Sequence, residues 1–133
     1  MKALIGKTIT ELHINDDQSV LVFTTASGEL FAYSTEGDCC SESWWADITG
    51  VSALLGGTVA TAEEVSMDSY NVEDGRSRQC SDEAYGYKLT TNKGYVDLVF
   101  RNSSNGYYGG WMEAVICATR PAGMTPITDD WRA

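Results

Sequence analysis

Alternating apolar and polar residues in the first third of the chain predict consecutive β-strands. In residues 8–14, Ile9, Leu12 and Ile14 compete for one inward face, which is the period-two pattern of a half-buried strand. Asx, serine and glycine residues separate this run from the next two, because such residues favour turns. The three predicted strands cover residues 8–14, 19–25 and 29–34, and their short connections predict an antiparallel meander.

The period then changes to a helical one, which predicts a helix near residues 43–55. Trp44, Ile48, Val51 and Leu55 are spaced by 4, 3 and 4 residues, so they share one stripe of a helix. The glycine in the middle leaves one helix or two short ones open. Further strands are predicted over residues 58–65, 85–91, 95–102 and 107–116. The predicted fold class is α+β, a mostly antiparallel sheet of about six or seven strands with one central helix.

The length of 133 residues is that of one domain with a core of its own. Residues 1–118 are predicted to form this single α+β domain. Pro121, Gly123 and Pro126 break any regular pattern near the end of the chain. Residues 119–133 are therefore predicted to be an extended C-terminal tail.

Two short stretches of the chain recur in the same order. Residues 4–9 match residues 54–59 at an offset of 50, and residues 24–28 match residues 90–94 at an offset of 66. The difference of 16 residues places an insertion between the first and second strands of the second copy. We interpret the chain as two copies of a β-meander unit that pack as a pseudo-symmetric pair. The alternative is that both stretches are ordinary ways to begin a strand and turn a hairpin.

The charge of the chain excludes one class of partner and favours another. There are 19 acidic and 9 basic residues, a formal net charge of −10, and the acids are spread along the whole chain. Such a surface repels phosphates, so direct binding to DNA or RNA is not expected. A negative field instead attracts a basic surface on another protein.

The beginning of the chain lacks the pattern of an export signal, and no segment has the length and apolarity of a membrane span. We therefore expect a cytoplasmic protein without membrane contact. In that compartment the four cysteines are expected to be thiols, not disulfides. The oligomeric state is open, and a dimer is among the options.

Two unusual segments, residues 36–45 and 101–110, each follow the third predicted strand of a copy. The chain resembles an uncharacterised family of small phage and bacterial proteins, a domain of unknown function with Gly-Asp-Cys-Cys-Ser-x-Ser-Trp and Arg-Asn-Ser-Ser-Asn-Gly-Tyr-Tyr-Gly-Gly motifs. The resemblance implies a phage or mobile-element setting and no particular chemistry. The candidate binding residues in these segments are Asp38, Cys39, Ser41, Trp44, Trp45, Arg101, Asn102, Ser103, Asn105, Tyr107 and Tyr108.

The cysteine spacing does not favour a metal site or a catalytic cysteine. Cys39 and Cys40 are adjacent, and the other cysteines and His13 stand alone, whereas zinc sites use pairs separated by two to four residues. A thiol at a helix N-terminus with His13 as base would suit cysteine catalysis, but no spacing brings them together. We expect no metal, no cofactor and no catalytic residues.

Three classes of function remain. The first, which we favour, is an inhibitor or decoy that binds a host protein with a basic surface. The second is a module that binds or sequesters a small ligand or nucleotide, for which Arg101 is the local cation of interest. The third is an enzyme that uses Cys39 or Cys40.

Overall fold

The computed structural model describes residues 1–37, 42–66, 81–104, 110–115 and 118–133. A short 3₁₀ helix, Lys2–Leu4, precedes the first strand, and one four-residue helix, α1, spans Val51–Leu54. The strands are β1 Ile9–Ile14, β2 Val20–Thr25, β3 Leu30–Gly37, β4 Glu42–Thr49, β5 Val59–Ser66, β6 Ser81–Thr91, β7 Gly94–Ser104, β8 Gly110–Val115, β9 Thr125–Pro126 and β10 Trp131–Arg132.

The strands form two antiparallel sheets of five strands each. The first has the order β8-β3-β2-β1-β9, and the second has the order β10-β4-β7-β6-β5. A single apolar core contains residues from both sheets, among them Leu12 and Phe23 from the first and Leu98 and Phe100 from the second. Within the described ranges, no helix is long and apolar enough to cross a membrane.

The predicted α+β class and the predicted helix near residues 43–55 are wrong. Residues 42–49 form strand β4, and only the single turn α1 follows it. A β-bulge between Trp45 and Asp47 explains the misleading pattern, because it inserts a residue into the strand. Trp45 and Ile48 therefore both enter the core three positions apart, and Val51 in α1 follows at the same spacing, which imitates helical periodicity; Trp44, which the predicted stripe contained, is not part of this core cluster. The fold is β-rich, with more strands than the six or seven predicted.

The internal repeat seen in the sequence is present in the hydrogen bonding. Gly6 donates its N–H to the Val59 carbonyl at 2.7 Å, and Gly56, 50 positions later, donates to the Ile9 carbonyl at 2.7 Å. The next pair is reciprocal too, since Ile9 bonds to Gly57 and Val59 bonds to Lys7. The two copies thus meet around a local two-fold axis, along which the side chains of Thr8 and Thr58 share a 2.7 Å hydrogen bond.

The correspondence continues along the later strands. The β1–β2 and β5–β6 pairs carry the same bulge, after Ile9 and after Val59. Residues 67–80, which lie outside the described residues, separate β5 from β6, and the sequence predicts the insertion between these two strands. The fourth strands are exchanged, because β4 of the first copy pairs with β7 and β8 of the second copy pairs with β3.

The C-terminal residues pack across both sheets. β9 pairs with β1, β10 pairs with β4, and Ile127 is buried in the core. Asp130 Oδ1 accepts hydrogen bonds from the backbone N–H groups of Gly50 and Val51 at 2.9 and 3.0 Å, which caps α1. The extended tail predicted from the sequence is therefore docked on the domain.

Candidate binding site where the two motif segments meet

The two unusual sequence segments lie side by side. Gly37 at the end of β3 pairs with Gly110 at the start of β8, and Ser43 in β4 pairs with Asn102 in β7. Each segment therefore contacts the other twice, at positions related by the local two-fold axis. Six predicted site residues lie outside the described residues, so their predictions remain open: Asp38, Cys39, Ser41, Asn105, Tyr107 and Tyr108.

Asn102 joins strands at the crossing between the sheets. Its Nδ2 donates to Ser43 Oγ at 2.9 Å, and Ser43 Oγ donates to the Glu36 carbonyl at 2.8 Å. Thr35 Oγ1 completes this polar cluster by donating to the Ser43 carbonyl at 3.1 Å. Asn102 is fully buried, and its Oδ1 has no hydrogen-bond partner among the described residues. The cluster fixes the path of β4 and leaves one buried acceptor available.

Arg101 and Trp44 form a buried pair on the face of the second sheet that points away from the core. The Arg101 guanidinium carbon lies 4.9 Å from the centre of the Trp44 ring, a cation–π contact. Arg101 is 1% exposed and Trp44 is 0% exposed. Ser103, the next residue on that face, is buried as well. These three predicted site residues are thus brought together, but as an interior cluster.

Trp45 belongs to the core. Its ring contacts Phe100 edge-on, with centroids 5.5 Å apart, and its Nε1 donates to the Tyr33 carbonyl at 3.3 Å. Trp44 and Trp45, both named as candidate binding residues, are therefore buried side chains.

Trp111 is not among the predicted site residues, but it directly follows the second motif segment and its side chain is exposed. It is 40% exposed at the start of β8, and its Nε1 donates to Glu113 Oε1 at 2.9 Å. Val115, two positions further on, is 42% exposed. We call Trp111, Glu113 and Val115 the β8 strip, because alternate residues of a strand share one face. These three residues alternate within the predicted strand 107–116, and this alternation alone predicts that they share one face of the strand.

An apolar cavity of about 250 Å³ lies at the Val115 end of β8. Tyr33 is one of its lining residues, and burial raises the pKa of Tyr33 to about 12. The lining consists of Ala3, Leu30, Phe31, Ala32, Tyr33, Ala114 and Val115.

His13, the one candidate base named for cysteine chemistry, lies in a different part of the first sheet. It sits in β1 between Val22 and Pro126, and its buried Nδ1 has no partner among the described residues. Burial lowers the pKa of His13, the nearby Arg120 charge lowers it further, and Glu11 opposes both. All four cysteines lie outside the described residues. Within the described part of the chain, no cluster of three metal-binding side chains occurs.

The chain is similar to known proteins that have no assigned function. A family model described as a domain of unknown function, DUF7448, matches residues 2–114. The chain belongs to this family. An uncharacterised protein of Acanthamoeba polyphaga mimivirus is 29% identical over 111 residues, which cover 79% of this chain and 84% of that protein. No solved structure matches the chain.

The family match includes both motif segments and nearly all of β1 to β8. It excludes the described C-terminal residues 118–133, which add β9 and β10 to the two sheets. The candidate site and two residues of the β8 strip, Trp111 and Glu113, therefore belong to the family domain, whereas Val115 and the docked tail lie beyond it.

Proposed function

We propose that this protein acts by binding, as an inhibitor or decoy of a host protein that presents a basic surface in the cytoplasm. The observation that carries the proposal is the β8 strip. It exposes a tryptophan and a valine on either side of a carboxylate, and Glu36 lies directly opposite Trp111 on the neighbouring strand. A large aromatic side chain among charged groups has the composition of an interface hot spot.

The net charge supports the same partner class. A formal charge of −10 creates a field that speeds encounter with a basic surface and repels nucleic acid. A small acidic protein can therefore occupy a site on a host protein that otherwise receives a polyanion.

The family setting supports an inhibitory role. The relative in Acanthamoeba polyphaga mimivirus is a viral protein. We infer from it, and from the phage or mobile-element setting that the sequence motifs imply, that the chain acts on a host factor by binding it.

Affinity capture from nuclease-treated host lysate tests the proposal. The wild-type protein, Trp111→Ala and Glu113→Lys serve as baits, with Glu63→Lys as a control of equal charge change on the exposed part of β5. We expect one stoichiometric basic protein to be retained by the wild type and the control and lost with both β8 variants, with retention that weakens as salt rises. Retention of no protein at low salt would refute the proposal.

A small-ligand or nucleotide-binding module is the second candidate, and Asn102 favours it. Its buried Oδ1 is an acceptor without a partner among the described residues, next to the buried Arg101. An uncompensated buried acceptor costs stability unless a donor meets it. Native mass spectrometry of the protein purified from host cells tests this candidate, since a bound small molecule lost in Asn102→Leu would favour it over protein capture.

A further inference from the structure

Strand β8 has a free edge among the described strands. It lies at the end of its sheet and pairs only with β3 within the described residues. Trp111, Glu113, Ala114 and Val115 are all exposed, and no described strand pairs with the outer edge of β8. An exposed edge of this kind is a template for a further strand.

The negative charge along this edge favours pairing with a basic strand. Glu113 lies in the middle of β8, and Glu36 lies across from Trp111 on β3. A second copy of this chain paired antiparallel on β8 would bring Glu113 near its own counterpart and join two surfaces of charge −10. A basic segment from another protein has no such cost.

The apolar cavity indicates that the added strand also carries an apolar side chain. Ala114 and Val115 both line the cavity at the end of β8: Ala114 lies on the face opposite Glu113, and Val115 lies on the same face as Glu113. An added strand would therefore present basic side chains to the face of Glu113 and an apolar side chain to the face of Ala114. A cavity of about 250 Å³ holds a large apolar side chain, since apolar cavities of about 150 Å³ hold benzene.

We propose that β8 accepts an extended, basic segment of the partner protein as an additional strand, with alternating lysine or arginine and apolar residues and one apolar side chain in the cavity. This inference rests on the proposed function and specifies its mode of recognition. The main-chain hydrogen bonds supply affinity, and Trp111, Glu113 and the cavity supply specificity.

The other acidic edge provides the internal comparison. β5 lies at the end of the second sheet and carries Glu63, Glu64 and the exposed Val65, but it contains no aromatic residue. A binding mode that depended on negative charge at a sheet edge alone would use β5 as readily as β8.

Fluorescence anisotropy with a defined probe tests the proposal. The probe is a short fluorescein-labelled peptide in which lysine alternates with valine and phenylalanine. Its control has the same sequence with N-methyl groups on alternate residues, which keep the charge and side chains but remove the N–H donors of one edge. We expect the N-methylated peptide to bind roughly tenfold or more weakly, because it cannot complete a strand ladder.

Protein variants locate the binding edge. Glu113→Lys and Ala114→Trp, which reverses the charge and fills the cavity, are each expected to weaken binding by roughly tenfold, while Glu63→Lys leaves it within about twofold. Circular dichroism melts of each variant identify any loss of folding. Ala122→Trp, at an exposed position of the tail, controls for the added ring.

The remaining outcomes overturn the inference. Equal binding of both peptides would exclude strand addition, even where lysate capture succeeds and the proposed function stands. Failure to bind any peptide, or loss with Glu63→Lys alone, would remove β8 as the docking edge. A dimer in analytical ultracentrifugation that Glu113→Lys dissociates would assign the edge to a second copy.

Discussion

Two strand pairings, Glu36 with Trp111 and Arg101 with Trp44, occupy equivalent positions of the repeat but differ in burial, and we call them the two corners of the molecule. Because Leu30 pairs with Thr24 and Tyr95 pairs with Thr90, the third strands correspond at an offset of 65, and Glu36 corresponds to Arg101. Glu36 pairs with Trp111, and Arg101 pairs with Trp44. Trp111 is 40% exposed, whereas Trp44 is 0% exposed.

The same backbone geometry therefore supports an interior pair, Arg101 and Trp44, at one corner and a surface pair, Glu36 and Trp111, at the other. A guanidinium taken out of water needs compensation, and the face of Trp44 supplies part of it. The carboxylate of Glu36 accepts a hydrogen bond from Ser34 at 2.9 Å and stays partly exposed. The two tryptophans occupy equivalent positions of the repeat, but their surroundings differ. A buried tryptophan at this position stabilises the fold, whereas an exposed one is available to bind a partner.

The largest expected effect is at Trp44. Trp44→Ala removes a fully buried ring and the contact with Arg101, so we expect the free energy of unfolding to fall by about 3–5 kcal/mol. Urea unfolding followed by circular dichroism measures this change.

Trp111→Ala is the matched substitution at the equivalent corner. Its ring is partly in water, so we expect a loss of less than about 1 kcal/mol by the same measurement. If Trp44→Ala and Trp111→Ala lowered the free energy of unfolding by similar amounts, the two tryptophans would contribute equally to stability, contrary to the difference in their burial.

The repeat could be inferred from the sequence because its hydrogen bonds need particular residues. Gly6 and Gly56, at equivalent positions of the two copies, make the reciprocal bonds across the axis and have φ values of 83° and 80°, a conformation that favours glycine. The glycine-threonine and threonine-threonine stretches therefore recur. The class prediction failed at β4, where one bulge changed the spacing of the core residues, and spacing alone does not reveal a bulge.

The sequence predicted which residues belong to the candidate site, but it did not predict which of them are buried. The sequence singled out Arg101, Asn102 and Trp44, and the structure brings the segments that carry them together. It could not indicate that the fourth strands are exchanged between copies. That exchange buries Trp44 against Arg101 of the other copy and places Trp111 on an edge strand.

Arg101→Ala is expected to have the next largest effect. It removes a buried side chain that packs on Trp44, so we expect a loss of about 2–4 kcal/mol from lost packing and the lost cation–π contact. Chemical denaturation again measures the loss.

Glu36→Ala provides the comparison for Arg101→Ala. Removing this partly exposed acid and its bond to Ser34 is expected to cost less than about 1 kcal/mol. A loss as large as that of Arg101→Ala would show that the acidic corner is also a structural element.

A smaller effect than at Trp44 or Arg101 is expected at the axis that relates the two corners. Thr8 and Thr58 share a 2.7 Å hydrogen bond between part-buried hydroxyl groups. Thr8→Val and Thr58→Val each leave the other hydroxyl without its partner, so each is expected to cost about 1 kcal/mol, and the double variant less than the sum of the two. Urea titrations of the four proteins in this double-mutant cycle measure the coupling, and Thr61→Val, at an exposed position of β5, controls for the effect of valine on a strand. Additive losses would mean that the hydroxyl contact does not couple the two copies, and that their mutual stabilisation comes from the reciprocal backbone bonds between residues 6–9 and 56–59.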